Sequence, residues 1–183
     1  MERNRIRQAM QFRSSPPPPA DDIAATVAWL RDRELIKDIY SRYAYAVDAI
    51  DVDLLRTVFH PDCVIVGTME EGGLEDYIQG LVESLPAYEA TMHFKGNQYV
   101  EMAGDTAFVE SWVLGYHREA ADSPIDSLLL GLRYQDDLIR VGDDWRIIRR
   151  KATRQFHEGP FPRPYIGEPP YPRKAHGSRG RDA

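Results

Sequence analysis

Met92-His-Phe-Lys-Gly-Asn-Gln-Tyr-Val-Glu-Met102, the turn residues Ala103-Gly104-Asp105, and Ala107-Phe-Val-Glu-Ser-Trp-Val-Leu-Gly-Tyr-His-Arg118 read as two long strands closed by a tight hairpin. Two further long strands follow, Ser127–Val141 and Asp144–Phe156, with Gly142-Asp143 as the turn between them. A fifth, short strand is expected over Cys63 to Thr68. Everything upstream carries helical spacing instead.

Asp21 or Asp22 can cap a stretch bearing Ile23, Val27 and Leu30. Leu35, Ile36, Ile39, Tyr40, Tyr43 and Val47 continue it, which predicts one long amphipathic helix to about residue 49. Asp51 is placed to cap a short helix bearing Leu54, Leu55, Val58 and Phe59, and Glu75 to Leu85 forms a third, stopped near Pro86. Helices first and an antiparallel meander afterwards define an α+β domain, not alternating α/β. A strongly curved sheet wrapped around one long helix leaves a cavity between them, the natural place for a ligand.

The chain divides into a Pro-rich tail (1–20), a domain (21–156) and a second Pro-rich tail (157–183), in which Phe161, Tyr165, Ile166 and Tyr171 interleave with prolines. Four arginines against Glu2 give residues 1–20 a charge of +3. Five basic and three acidic residues give 157–183 a charge of +2, so the net charge of −6 leaves −11 on the domain. So acidic a surface repels a phosphate backbone, and nucleic acid is not an expected partner. No apolar run reaches the ~20 residues of a membrane span. The first residues lack the apolar stretch of a secretory signal, and a cytoplasmic location is the expectation. Cys63, the one cysteine, lies in Asp-Cys-Val-Ile-Val and reads as a buried core residue.

Three places could carry chemistry. Asp48, in the last turn of the long helix, opposes the helix dipole and is flanked by Val47, Ala49 and Ile50. His93, at the start of a long strand, can exchange a proton near neutral pH if a carboxylate orients its ring. The last strand carries Trp145-Arg-Ile-Ile-Arg-Arg150, where alternation groups Arg146, Ile148, Arg150 and Ala152 on one face. One of these cations inside the cavity would be an anion anchor; the others belong to a solvated face. Trp112, Leu114 and Tyr116 share a strand face and, with Phe59 and Tyr134, are candidate lining for a small hydrophobic ligand. His117 lies on the face opposite Tyr116, and His60 reads as a structural turn residue. No His/Cys/Asp cluster has metal-ligand spacing and no phosphate-binding loop occurs, so neither metal nor cofactor is expected.

The run Glu34-Leu-Ile-Lys-Asp-Ile-Tyr40…Tyr43…Asp48…Phe59-His-Pro-Asp62, with Met92-His93-Phe…Gly96-Asn97 and Gly131-Leu-Arg-Tyr134-Gln-Asp136…Trp145-Arg-Ile, resembles SnoaL-like domains of the NTF2-like superfamily over about residues 22–156. The resemblance implies a cone of N-terminal helices packed against a strongly curved, mostly antiparallel sheet, and a homo-oligomer, dimer or trimer. Scytalone dehydratase-like enzymes, hexachlorocyclohexane dehydrochlorinase and bile-acid 7α-dehydratase are similar members, in which an Asp at the end of the first long helix and a His on the sheet form a dyad. Asp48 and His93 match those places. Tyr43 matches a catalytic Tyr of the bile-acid enzyme, and Arg150, by its offset from Trp145, a pocket Arg of the dehydrochlorinase.

The reading that follows is a cofactor-independent dehydratase acting on a hydrophobic polycyclic, hydroxysteroid-like substrate. His93 would take a proton from carbon, Asp48 would orient it, Tyr43 would assist the departing hydroxyl, and Arg150 would balance negative charge. An isomerase or polyketide cyclase using the same pocket is one alternative. A non-catalytic ligand-binding or oligomerisation module is another, since this superfamily hosts both kinds.

Overall fold

A computed structural model describes residues 15–67, 72–123 and 127–159. Helix α1 runs from Ile23 to Ala49 with Asp22 as its cap, the carboxylate accepting from the Ala25 N–H. Asp51 caps α2 (Val52–Val58) in the same way, through the Leu54 N–H at 2.9 Å. Strands β1 (Phe59–Val66) and β2 (Gly72–Gly73) precede α3 (Leu74–Ser84) and a 3-10 turn at Leu85–Ala87. Then come β3 (Tyr88–Ala103), β4 (Thr106–Glu119), β5 (Ser127–Val141) and β6 (Asp144–Glu158). The turns after β3 and β5 put Gly104 and Gly142 at φ near +60°, where only glycine sits without strain.

All six strands form one sheet in the order β2-β1-β6-β5-β4-β3. Every pairing is antiparallel except β1 with β6. The inner face of the sheet packs on α1 through Ile36, Ile39, Tyr40, Tyr43, Ala46 and Val47, all buried with Leu55, Val58, Ile65, Leu138, Trp145 and Ile147. The first turns of α1 lie outside this core, for Ile23, Val27 and Leu30 are exposed rather than inward. Edge strand β3 meets the chain N-terminal to α1: Ser15 donates its N–H to the Val100 carbonyl and accepts from the Met102 N–H. The Thr68 end of the expected short strand, most of the first tail and the aromatic part of the second fall outside the described residues. No helix among the described residues is long and apolar enough to cross a membrane.

Two irregularities decide which side chains face the helix. Between Lys95 and Gln98 the register against β4 shifts by one residue, a bulge at Gly96-Asn97 opposite Trp112. On β6 a second shift leaves Ile148 unpaired between Ile147, opposite Leu138, and Arg149, opposite Asp137. Buried positions therefore pass from Trp145 and Ile147 to Arg150 and Ala152. Unbroken alternation, which grouped Arg146 and Ile148 with Arg150, is corrected by this bulge.

Candidate active site

The last turn of α1 closes unusually. Ile50 takes a left-handed conformation, φ 53°, and returns its N–H to the carbonyls of Ala46 and Val47. The Asp51 N–H also reaches the Ala46 carbonyl. A β-branched residue there is strained by about 1–3 kcal/mol, and this tight stop sets where Asp48 points. Its carboxylate meets three donors from β3. Oδ1 accepts from the His93 ring Nδ1 at 2.7 Å and from the Thr91 hydroxyl at 2.9 Å, and Oδ2 accepts from the His93 backbone N–H at 2.8 Å. Partial burial pushes the Asp48 pKa upward, but these bonds outweigh it and hold the carboxyl below the usual aspartate range.

An ionised Asp48 on Nδ1 leaves the lone pair of neutral His93 on Nε2. Nε2 faces Gly115 of β4. A methyl group there would sit 3.5 Å from Nε2 and 3.4 Å from the His117 ring, so Gly115 puts no side chain against Nε2, while the His93 side chain as a whole is 7% accessible. His117 stands edge-on to His93, ring centroids 5.6 Å apart. Its buried Nδ1 has no partner in hydrogen-bonding geometry. Burial, then the His93 charge, lower its pKa to about 4, with only partial opposition from Asp48 and the Gly115 and Leu128 backbone, so it is neutral at physiological pH.

A second layer lies beside the dyad. The Tyr43 ring is 6.3 Å from that of His93, edge-on. Its hydroxyl bonds the Tyr77 hydroxyl at 2.7 Å and approaches that of Tyr134 at 3.4 Å. On an ideal helix Tyr43 and Asp48 are 140° apart. Both reach His93 because it comes from the sheet opposite and takes the carboxylate on its Nδ1 edge. Behind them Arg150 is wholly buried, its Nε and Nη2 on the two oxygens of Asp136 at 2.9 and 2.8 Å. Tyr40 donates to the same carboxylate at 2.7 Å. The guanidinium lies 4.2 Å over the Tyr43 ring, 4.3 Å over Tyr134 and 5.1 Å over Phe59. Burial works against its charge, yet Asp136 overrides this and raises the Arg150 pKa well above the ordinary value. Its Nη1 alone lacks a partner.

Six of the nine candidates thus converge: Asp48, His93, Tyr43, Arg150, Phe59 and Tyr134. Trp112, Leu114 and Tyr116 do not. The bulge at Gly96-Asn97 pairs Met92 with Tyr116 and Phe94 with Leu114, on the face turned away from α1. Met92, Phe94, Trp112, Leu114 and Phe156 form an exposed apolar patch there, 39–58% accessible. These three are corrected from pocket lining to outer-face residues. Thr91, Gly115, Tyr77 and Asp136, none of them a candidate in the sequence, join the site. His117, placed by the sequence on the face opposite Tyr116, joins it too, because that face and not the Trp112 face is turned to α1. Among the described residues no group of three His, Cys, Asp or Glu side chains could hold a metal.

Helices on one face of a curved, mostly antiparallel six-stranded sheet, with an acid at the end of the first long helix meeting a histidine of the sheet, define an NTF2-like α+β domain. Residues 28–151 match the SnoaL-like domain. The chain belongs to that family. Uncharacterised proteins of Mycobacterium tuberculosis and Mycobacterium bovis are 34% identical over 138 residues, 73% of this chain and 92% of theirs. A crystal structure from Kribbella flavida is 28% identical, with TM-score 0.63 over 69% of this chain and 93% of that one. A scytalone dehydratase-like protein of Novosphingobium aromaticivorans superimposes with TM-score 0.70 at 22% identity, over 82% of this chain and 99% of its own. The hexachlorocyclohexane dehydrochlorinase LinA does so with TM-score 0.64 at 18%, over 79% and 97%. The last two likenesses speak to the fold alone.

Proposed function

We propose that the protein is a cofactor-independent lyase, a dehydratase that removes water from a small hydrophobic polycyclic substrate of hydroxysteroid type. The observation that carries this reading is the 2.7 Å contact of Asp48 with His93 Nδ1, which leaves Nε2 facing the side-chain-free Gly115. His93 takes a proton from a carbon acidified by a neighbouring carbonyl. Asp48, held ionised, fixes the tautomer and stabilises the imidazolium as it forms. The Tyr43 hydroxyl, backed by Tyr77 and Tyr134, hydrogen-bonds the departing hydroxyl or the enolate oxygen. Arg150 acts from behind the tyrosine faces, its fork being committed to Asp136, so its charge tempers the negative potential without grasping the substrate. Neutral His117 is a further hydrogen-bonding wall of the site. The names of the scytalone dehydratase-like and LinA neighbours agree with elimination chemistry.

Phe59 and Tyr134 remain lining residues in this reading. The outward patch of Met92, Phe94, Trp112, Leu114 and Phe156 is proposed as the contact with a second copy of the chain, since apolar clusters of this kind mark interaction surfaces. The test of function is incubation with a panel of hydroxysteroids and β-hydroxy polycyclic ketones, followed by mass spectrometry. A product lighter by one water, formed by the wild type and lost in His93→Gln, supports the dehydratase. A product of unchanged mass identifies the isomerase or cyclase alternative. Full activity in His93→Gln refutes the assignment of the base.

A further inference from the structure

We infer that Lys95 is a carbonyl-capturing amine of this site, condensing with an aldehyde or ketone of the bound ligand to form an iminium. Lys95 follows His93 by two residues on β3, pairs with Val113 of β4, and so shares the inner face with the dyad. Its Nζ lies 4.3 Å from the centroid of the Tyr40 ring, and the Arg150 guanidinium flanks that ring at 5.9 Å. No described carboxylate is within ion-pair distance of Lys95. The two nearest in electrostatic influence are occupied: Asp136 by Arg150 and Tyr40, Asp38 by Arg42 at 2.8 Å. The Tyr40 ring face by itself favours an ammonium, but half-burial, the neighbouring guanidinium and the lack of a paired anion work against the charge and suit the amine to act as a nucleophile. Burial, then the Arg150 charge, draws its pKa to about 7 against the opposing pull of Asp136 and Asp38, with Tyr40 held neutral. Lys37, by contrast, is exposed and paired with Glu34.

The step balances without a co-reactant. The Nζ lone pair forms a bond to the carbonyl carbon, one proton passes from nitrogen and one from solvent to the carbonyl oxygen, and that oxygen leaves as water to give the iminium; the solvent proton is returned when the product iminium is hydrolysed. The iminium acidifies the adjacent C–H. His93 accepts this proton, the electron pair moves toward nitrogen to give an enamine, and the enamine expels a β-hydroxyl that departs as water with the proton His93 had taken. One water then hydrolyses the conjugated iminium, returning Lys95 and an unsaturated carbonyl product, a net loss of one water. The substrate class is thereby a β-hydroxy aldehyde or ketone. The elimination rests on the function proposed above, whereas the capture stands without it.

The test is reductive trapping of the full chain by 2-naphthaldehyde and sodium cyanoborohydride at neutral pH, read by intact mass and peptide mapping. The chain has four lysines, at positions 37, 95, 151 and 174, besides its α-amino group, and peptide mapping separates them all. Among the lysines the expected adduct is at Lys95, formed about tenfold or more faster than at Lys37, with that selectivity abolished in urea. Trapping in His93→Gln at the wild-type rate, with elimination lost, supports both assignments. Trapping that persists while His93→Gln still turns over sinks the base but not the amine. Equal labelling of all four lysines in the folded protein, or a Lys95→Gln variant of native circular dichroism with undiminished turnover of a β-hydroxy ketone, overturns the proposal.

Discussion

Replacing Asp136 by Asn should be the most damaging near-isosteric change in the domain. Asp136 and Arg150 are both wholly buried, and each carboxylate oxygen takes one guanidinium hydrogen bond, with Tyr40 adding a third. The variant leaves a buried guanidinium without its counter-charge among Tyr43, Tyr134 and Phe59. Breaking one half of such a pair costs about 3–5 kcal/mol. In a chain of this size each kcal/mol moves the melting temperature by about 2–4 °C, so a fall on the order of 6–20 °C is expected. Asp136→Leu with Arg150→Met removes both charges and should recover most of the loss. What remains is the unpaired Tyr40 hydroxyl, about 1–3 kcal/mol. Urea unfolding followed by circular dichroism measures all three proteins. An Asn variant within about 1 kcal/mol of wild type, or a double variant less stable than the single, would refute the reasoning.

Further outcomes follow from the same geometry. Because the Asp48 pKa is lowered in the fold, its carboxylate stabilises the domain above the ordinary aspartate range and ceases to do so as pH falls through the folded value. The stability advantage of wild type over Asp48→Asn should therefore shrink in acid, and a difference constant with pH would contradict it. Gly115→Ala meets only ordinary contact distances, so it should fold normally while its methyl covers His93 Nε2 and lowers turnover by about tenfold or more. Unimpaired kinetics would count against Nε2 as the reacting atom. Burial pushes the Cys63 thiol up to about 12, so iodoacetamide at mildly alkaline pH should modify it only after unfolding; rapid labelling of the native protein would show otherwise. Phe94→Glu should shift a self-associated species to the monomer in size-exclusion chromatography, and an unchanged elution volume would exclude the outer patch as the contact.

Much of the fold is legible in the residues because its signals are local. Capping by Asp22 and Asp51, the helical spacing through Tyr43 and Val47, and the Gly-Asp turns each depend on a few neighbouring side chains. The Asp48–His93 pairing was legible through resemblance together with the dipole-opposing place of Asp48. Facing was harder, because one residue of register inverts a strand. Had β3 and β4 run without interruption from the Gly104-Asp105 turn, His93 would lie opposite Tyr116. The bulge at Gly96-Asn97 sets it opposite Gly115 instead, turning Thr91, His93 and Lys95 inward and Met92 and Phe94 outward, onto the faces that the uninterrupted alternation of β4 gives to His117 and to Trp112, Leu114 and Tyr116 respectively. The bulge at Ile148 likewise buries Arg150 through a displacement that no alternation rule anticipates. Tyr77 and Asp136 join the site only through tertiary packing, so nothing in their own neighbourhoods announced them.

Hydrogen–deuterium exchange at carbon bears most directly on the central claim, that His93 held by Asp48 removes a proton from a carbon acid. A cyclic β-hydroxy ketone or its dehydrated product, incubated with the protein in heavy water, is followed by proton NMR at the position next to the carbonyl. Exchange well above the buffer rate in the wild type, lost in His93→Gln and strongly slowed in Asp48→Asn, is the predicted result. Exchange proceeding equally in all three proteins would mean that the imidazole does not perform the proton transfer.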